Sequence, residues 1–392
     1  MKRFIAPTLA ALALVACSES STAPLAPEQL QQVKLAPYFS KGADGIEGQY
    51  IVVFNDGTSD VSTLANQKMR QHSAGSKFIY GNVLKGFAAT MSAGEVESLR
   101  SDPDVAYIEQ DGIVRMETTQ SGATWGIDRI DQRNLPLSGS YTYTSTGAGV
   151  RAYIIDTGIQ TNHPQFGTRA SAVYDALGGS GQDCNGHGTH VAGTVGSSTY
   201  GVAKGVYLRA VRVLDCAGSG SNSGVIAGMD WVKTNHISPA VANMSLGGGF
   251  SSATNTSANN LAASGVFLAV AAGNSNADAC SSSPSSAANA TTVAATGSND
   301  ARATYSNYGG CVDLYAPGSS ITSTWINSGT NTISGTSMAT PHVTGVGALY
   351  KATFGDASYS TIRSWLTSNA TANVVSGNPS GTPNLLLYKS TL

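Results

Sequence analysis

Short apolar runs recur along the later part of the chain, and each is bounded by Gly, Asn or Asp. Segments with the apolar spacing of helices lie between them. Continuous apolar runs that alternate with helices are typical of a parallel sheet covered by helices on both faces. The pattern predicts an α/β domain over residues 118–392, with strands at Val150–Ile155, Leu208–Leu214, Val241–Leu246, Val266–Ala271 and Thr292–Ala295 and helices at His187–Gly196, Ser223–Asn235 and Ser337–Phe354.

A different pattern fills residues 49–117, where strand and helix signals follow one another in the order β-α-β-β-α-β. This order predicts a small ferredoxin-like α+β domain. Nothing in it suggests chemistry of its own. The predicted segments are a strand at Tyr50–Phe54, a helix at 61–72, strands at 78–80 and 86–91, a helix opened by the capping box of Ser92 and Glu95, and strands at 105–109 and 113–116.

The N-terminus has the pattern of an export signal. Met1-Lys2-Arg3 and the apolar run Phe4–Ala16 are typical of a signal peptide, because the run is too short to span a bilayer. Leu14-Val15-Ala16-Cys17 also resembles a bacterial lipobox, whose cysteine is lipidated; the alternative is an ordinary signal peptide with a chance cysteine. We expect a secreted bacterial precursor with a signal peptide over residues 1–17 and a linker over 18–48, which includes a short helix near 28–35.

The charge and the cysteine content of the chain limit the classes of function that it can have. Charged residues make up only 12% of the chain, the net charge is −2 and Lys and Arg form no cluster in the sequence, which argues against nucleic acid as a partner. Beside Cys17 there are four cysteines, an even set that predicts two disulfides in an exported protein. No pair has the C-x-x-C spacing of a zinc or redox site. The spacing does not choose among the three pairings that four cysteines allow.

Three segments carry residues for nucleophilic catalysis. Asp156 ends a buried strand, His187 begins a helix among glycines, and Ser337 lies at a Gly-rich entry into a long apolar helix. A serine hydroxyl needs a base in contact, and the base needs a carboxylate that fixes its tautomer. Singly, each has an ordinary alternative as a turn residue, a helix-start histidine or an N-cap. His187 and His190 also have the spacing of a helical metal pair, but no third ligand is evident.

The motifs Tyr153–Gly158, Asn185–His190 and Ser334–His342, in the order Asp, His, Ser, resemble those of the subtilisin family of serine proteases. The resemblance extends from about Trp125 to Tyr388 and is closest to the proteinase K branch and its aqualysin-like enzymes. It implies an endopeptidase that works through an acyl-enzyme. The implied roles are nucleophile for Ser337, general base and then acid for His187, orienting carboxylate for Asp156, and oxyanion donor for the Asn274 side chain, beside the main-chain N–H of Ser337.

The same resemblance implies how substrates bind. Gly218-Ser219-Gly220 and Ser245-Leu246-Gly247 match the segments that pair with a peptide as added strands. Ser245–Gly249 and Ala271-Ala272-Gly273 would line the primary specificity pocket, which carries no charge. We expect broad specificity for protein substrates, with apolar or aromatic residues before the scissile bond.

The resemblance implies that residues 49–117 are a propeptide that inhibits the enzyme and assists its folding. Assistance is useful because parallel sheets with long-range contacts fold slowly. Self-cleavage near Glu117–Thr118 would release the mature enzyme, which we expect to be a monomer. Lipidation at Cys17 would anchor only the precursor to a membrane.

The resemblance also implies the disulfides Cys184–Cys216 and Cys280–Cys311 and structural Ca²⁺. Hard oxygen ligands suit Ca²⁺, and the alternative at each site is a polar turn cluster. One calcium site would use Asp128, Asp131, Gln132, Ser138 and Ser140, and the other would use Asp313 with the carbonyls of Ala288 and Ala290.

Two other functions compete with this one. Gly335–Ala339 nearly matches the G-x-S-x-G motif of α/β-hydrolase esterases, but in that family the serine comes first in chain order, whereas Ser337 comes last here. A non-enzymatic, calcium-stabilised scaffold would need a broken triad or oxyanion position. None is broken in the sequence.

Overall fold

The computed structural model describes residues 35–42, 45–112 and 118–392, and it divides into two units, 1–114 and 115–392. The signal peptide, the lipobox, the strand expected at 113–116 and all but the last residue of the helix expected near 28–35 lie outside the described residues. No helix within the described ranges is long and apolar enough to cross a membrane.

In its described residues, the smaller unit contains a five-stranded sheet in the order β1-β5-β2-β4-β3 and two helices. Its β-α-β-β-α-β succession confirms the predicted ferredoxin-like arrangement. One strand is additional: β1 lies inside the expected linker and pairs in parallel with the open edge of β5. The bounds are β1 Tyr38–Phe39, β2 Gly45–Phe54, α1 Val61–Gln71, β3 Gly75–Tyr80, β4 Gly86–Thr90, α2 Ala93–Arg100 and β5 Val105–Gly112.

The larger unit is built on a nine-stranded sheet that is parallel except for its last pair, which confirms the predicted α/β class. In chain order the unit contains β6 Thr118–Ser121, α3 Trp125–Ile130, β7 Ser140–Tyr143, β8 Arg151–Asp156, β9 Ala170–Asp175, α4 His187–Gly196, β10 Tyr207–Arg212, α5 Asn222–Asn235, β11 Ala240–Met244, β12 Gly248–Gly249, α6 Ser252–Ala263, β13 Phe267–Ala271, β14 Ser282–Ser283, β15 Thr291–Thr296, β16 Leu314–Pro317, β17 Ile321–Trp325, β18 Gly329–Ile333, α7 Thr336–Phe354, α8 Tyr359–Asn369, β19 Thr371–Ala372 and β20 Leu385–Leu386.

The strand order of this sheet is β19-β20-β16-β15-β13-β11-β8-β10-β9. The central strands are buried along their whole length, as their continuous apolar sequences predict. Helix α7 is also buried over most of its length and packs against β11, β13 and β15. Because β8, β11 and β13 run parallel, their carboxyl ends lie at one edge of the sheet, and this edge carries the candidate site.

Candidate active site

The carboxylate of Asp156 and the ring of His187 are in direct contact. Asp156 is the last residue of β8 and is fully buried, and its Oδ1 lies 2.7 Å from Nδ1 of His187. Oδ1 also accepts the main-chain N–H of Thr157, whereas Oδ2 is buried without a hydrogen-bond partner among the described residues. An unpaired buried carboxylate oxygen costs free energy, so the site favours a cation on the neighbouring ring.

A second carboxylate, on Asp183, shapes the loop that carries His187. Its Oδ1 accepts the hydroxyl of Thr157 and the main-chain N–H groups of Asn185 and Gly186, each at 2.9 Å. Its Oδ2 accepts the N–H and the hydroxyl of Thr189 in the first turn of α4. These five hydrogen bonds connect the end of β8 to the start of α4. They hold the two elements that bring carboxylate and imidazole together.

The pKa of His187 is the outcome of opposing effects. Burial disfavours the charged ring and lowers the pKa, but the negative charge of Asp156, the hydrogen bond to it and the charge of Asp183 outweigh burial. The net pKa therefore lies above that of an ordinary histidine. A base of this kind holds a proton readily and returns it near neutral pH.

Gly186 allows the close packing behind His187. Its φ is +109°, a left-handed conformation that side chains rarely adopt, and a Cβ there would lie 2.3 Å from the ring of Trp325 in β17. The hairpin of β17 and β18 is held in turn by His190, whose Nε2 contacts the carbonyls of Ile321 and Asn331. Burial lowers the pKa of His190 to about 4. Nε2 of His190 is thus engaged by main-chain carbonyls and Nδ1 of His187 by Asp156, so these two nitrogens are not free for a metal pair.

Ser337 lies in the first turn of α7, and Pro341 explains why the main-chain carbonyl of Ser337 has a partner outside the helix. Proline has no N–H, so the carbonyl of Ser337 lacks its helical partner. The hydroxyl of Ser245 replaces that partner and donates to the carbonyl at 2.8 Å. The Ser337 hydroxyl donates to the carbonyl of Ser245 at 3.1 Å, and the described part of the chain shows no hydrogen bond from it to His187. Free enzymes often form this contact fully only with substrate bound.

The amide of Asn274 is oriented by Thr336. Asn274 follows β13, and its Oδ1 accepts the main-chain N–H and the hydroxyl of Thr336 at 2.8 and 2.9 Å. Because Oδ1 has these two donors, Nδ2 is left to donate. The N–H of Ser337 belongs to the donors at a helix start that the helix itself leaves unpaired. Two N–H donors therefore lie beside the serine, at a helix terminus that favours negative charge.

Two neighbouring cavities share Leu246, Gly247 and Gly248. One, of about 510 Å³, contains His187 together with both predicted substrate segments, Gly218–Gly220 and Ser245–Gly247. The other, of about 320 Å³, contains Ser337 and the predicted pocket residues except Ser245, which lines the first cavity. No described residue that lines this second cavity is charged. The lining of the second cavity comprises Leu246, Gly247, Gly248, Gly249, Ala271, Ala272, Gly273, Asn274, Ser275, Ser282, Ser285, Asn307, Thr336 and Ser337.

Both disulfides have the pairing that the resemblance implies, Cys184–Cys216 and Cys280–Cys311. The first connects the loop before His187 to the segment before Gly218. The side chain of Asn185 reinforces this connection, because it donates to the carbonyl of Cys216 at 3.0 Å.

The first set of calcium ligands comes together in the structure. Asp128 accepts from Ser138 and Gly139, Gln132 Oε1 accepts from the N–H of Ser138, and the hydroxyls of Ser138 and Ser140 lie 2.8 Å apart. Burial raises the pKa of Asp131 to about 6. No group of three or more His, Cys, Asp or Glu side chains suited to a metal occurs in the described ranges. The mixed carboxylate, amide and hydroxyl oxygens fit a hard cation.

The second set is arranged around an arginine. Arg363 forms an ion pair with Asp313 and also donates to the carbonyl of Ala288 at 3.4 Å, while Asp313 Oδ2 accepts the N–H of Thr292. The guanidinium supplies the positive charge that a calcium ion would supply. As arranged here, Asp313, Ala288 and Ala290 do not fit Ca²⁺ unless Arg363 moves away.

Three residues of the site were missed by the sequence analysis: Asp183, Thr336 and Asn307. Asp183 lies just before the motif Asn185–His190, and Thr336 lies within the motif Ser334–His342. Their positions in the sequence could therefore have indicated them as candidate site residues. Asn307 follows β15 in a Ser-Asn-Tyr-Gly stretch that is typical of a turn. Only the folded chain brings it to the segment around Asn274.

The fold and the site define the class of the protein: it is a serine-type endopeptidase. A family model described as the subtilase family matches residues 147–385, and one described as peptidase inhibitor I9 matches residues 49–117. The chain belongs to the subtilase family, as its motifs predicted.

Individual proteins support this assignment. An extracellular serine proteinase from Thermus sp. (strain Rt41A) is 59% identical over 314 residues, which cover 79% of this chain and 77% of that protein. Proteinase R from Parengyodontium album is 44% identical over 366 residues, which cover 92% and 93%. The crystal structure of a cold adapted subtilisin-like serine proteinase aligns with a TM-score of 0.68 at 53% identity and covers 69% of this chain and 99% of that one.

The α/β-hydrolase interpretation is wrong, since Ser337 follows the β18 hairpin rather than a strand of the main sheet.

Proposed function

We propose that the chain is a secreted precursor of an endopeptidase in which Asp156, His187 and Ser337 form the catalytic triad. The contact of 2.7 Å between Asp156 and His187 at the carboxyl edge of the sheet is the main support for this proposal. The neighbouring Ser337, in the first turn of α7, supplies the hydroxyl.

Acylation begins when the Ser337 hydroxyl turns from the Ser245 carbonyl to Nε2 of His187. His187 takes the proton as Ser337 Oγ attacks the scissile carbonyl, and Asp156 stabilises the imidazolium. The Asn274 amide and the N–H of Ser337 stabilise the oxyanion of the tetrahedral intermediate. His187 then gives the proton to the leaving amine. Water, activated by the same base, hydrolyses the acyl-enzyme.

The pH dependence of kcat/KM tests His187 as the base. Only the neutral ring accepts a proton, so the rate should rise with pH to a plateau, with a midpoint above 6.5, the pKa of an ordinary histidine. The measurement uses an uncharged peptide substrate. Asp156→Asn should move the midpoint down, because the charge that raises the pKa is removed. A flat profile from about pH 5 to 9 would contradict the assignment.

Substrate preference follows from the cavity beside Ser337. A charged side chain would be buried there without a partner, so matched peptides with Lys or Glu before the scissile bond should be cleaved on the order of 10²-fold more slowly than those with Phe, Leu or Met. A peptide library measures the profile. A library dominated by Lys, Arg, Asp or Glu at that position would refute the proposal.

Residues 49–117 act in this proposal as an inhibitory propeptide, which is supported by the match to the peptidase inhibitor I9 model. Self-cleavage near Glu117–Thr118 would release the mature enzyme. Export is supported by the extracellular relative from Thermus. The signal peptide and the lipidation of Cys17 remain predictions from the sequence.

Calcium held by Asp128, Asp131, Gln132, Ser138 and Ser140 would link α3 to β7 and stabilise the larger unit. A ligand at a hundred times its Kd adds about 2.7 kcal/mol to the free energy of unfolding. Chelation should therefore speed the thermal inactivation of the unmodified enzyme. The Asp131→Asn variant should inactivate at this faster rate both with and without chelator.

The exposed Asp230→Asn provides the control for lost charge and should respond to chelator like the unmodified enzyme. Identical inactivation rates of the unmodified enzyme with and without chelator would contradict the calcium site.

A further inference from the structure

We propose that Asn307 is a positioning residue of the oxyanion site and acts through Asn274. The inference rests on the proposed role of Asn274 as an oxyanion donor. It concerns the main chain around Asn274, whereas Thr336 fixes the side-chain amide.

The side chain of Asn307 is 3% exposed and lines the same cavity as Asn274 and Ser337. Its Oδ1 accepts the main-chain N–H groups of Ser275 and Ala277, both at 3.0 Å. Its Nδ2 donates to the carbonyl of Ala272 at 2.9 Å. Three of the four hydrogen bonds open to the Asn307 amide are made with main chain on one side or the other of Asn274, which fixes the orientation of the amide.

The two segments also meet at Gly273. The main-chain N–H of Asn307 donates to the carbonyl of Gly273 at 2.9 Å. Gly273 has φ +105°, and a Cβ there would lie 2.4 Å from Asn307 Nδ2. The glycine thus permits the close approach that the hydrogen bonds require.

These contacts begin where the sheet ends. The N–H of Ala272 makes the last ladder bond, to the carbonyl of Val293, and the chain then leaves the sheet. Beyond this bond, main-chain groups on both sides of Asn274 form hydrogen bonds with the Asn307 side chain instead of with a neighbouring strand. A displacement of about 1 Å in a group that contacts the reacting atoms costs about 10²-fold in rate. In the strand part of the pocket the N–H of Ala272 keeps its ladder bond to Val293, so the larger effect falls on kcat rather than on KM.

A double-mutant cycle tests the proposal. The full chain is allowed to mature, active sites are counted by burst titration, and kcat and KM are measured for Asn307→Ala, Asn307→Asp, Asn274→Ala and Asn274→Ala with Asn307→Ala. We expect Asn307→Ala to lower kcat about 10- to 100-fold with KM within about threefold. In the Asn274→Ala background the same change should lower kcat by less than about threefold.

Asn307→Asp keeps the acceptor for Ser275 and Ala277 but places an oxygen against the carbonyl of Ala272, so it should lose at least as much as Asn307→Ala. Asn384→Ala is the matched control, since Asn384 also holds main chain, at Val375, by two hydrogen bonds. Its kcat should stay within about twofold of the unmodified enzyme.

The outcomes separate the two proposals. Equal losses from Asn307→Ala in both backgrounds, or a loss in KM alone, would overturn the positioning role. An unchanged kcat in Asn274→Ala would overturn the oxyanion assignment instead. If the Asn307 variants do not mature, the Tm of their precursors is compared with that of the Ser337→Ala precursor. An equal Tm supports the proposal, because only cleavage is lost. An unfolded precursor contradicts it.

Discussion

Ser337→Ala should leave the chain as an intact precursor, with no conversion to a smaller species, and abolish casein hydrolysis. The change removes one oxygen, and with it the atom that forms the acyl-enzyme. Loss of the nucleophile costs on the order of 10⁶ in kcat in proteases of this family. The fold should persist, because the Ser337 hydroxyl donates only to the carbonyl of Ser245.

The experiment follows size and casein hydrolysis over time in the presence of calcium, for the chain with and without Ser337→Ala. Ser334→Ala is the matched control: its hydroxyl accepts the N–H of Ser320, and its loss should leave maturation intact. A trace of mature enzyme added to the Ser337→Ala precursor should cut it, which shows that the precursor is folded and cleavable. Conversion of Ser337→Ala alone would mean that another residue or protease performs the cleavage.

The contact of Asp156 with His187 could be predicted because its signals are local. Asp156 ends an apolar run that forms β8, and His187 begins the helix predicted at 187–196, which is α4 with the same bounds. Parallel strands bring their carboxyl ends together whatever the intervening loops do. The meeting of Asp156 and His187 therefore followed from fold class and motif order.

The supports of the site could not be predicted in the same way, because each depends on segments that only the fold brings together. Asp183 stands beside a motif, but its five hydrogen bonds depend on the meeting of β8 and α4. Asn307 has the local pattern of a turn, and the positioning role proposed for it depends on the path of the chain after β13. The orientation of the Ser337 hydroxyl toward Ser245 is a choice among side-chain rotamers that no pattern encodes.

The β17–β18 hairpin shows the same limit at the level of elements. Its strands are short, and hairpins of this size are marginal alone. Trp325 packs over Gly186, and His190 contacts main-chain carbonyls on both strands. Tertiary contacts stabilise the hairpin, so the sequence of the hairpin alone did not indicate it.

Asp156→Asn should lower kcat about 10⁴-fold and leave KM within about threefold, the size of effect found when the orienting carboxylate of a serine protease triad becomes an amide. The two side chains have nearly the same shape. An amide, however, neutralises the charge that stabilises the imidazolium and presents an N–H to Nδ1 of His187. The ring then carries its proton on Nε2, the nitrogen that must accept the proton of Ser337.

Precursor conversion measures this loss without a separate substrate, because self-cleavage within one molecule has a first-order rate that does not depend on protein concentration. Asp278→Asn is the matched control: its Oδ1 accepts the N–H of Cys280, as Asp156 accepts that of Thr157, and an amide oxygen retains that bond. Its conversion rate should stay within about twofold. A loss under tenfold in Asp156→Asn, or a loss that tracks a lowered Tm, would mean that His187 is oriented and stabilised by other groups. Asp183, the other carboxylate that raises the pKa of His187, would then be the first to examine.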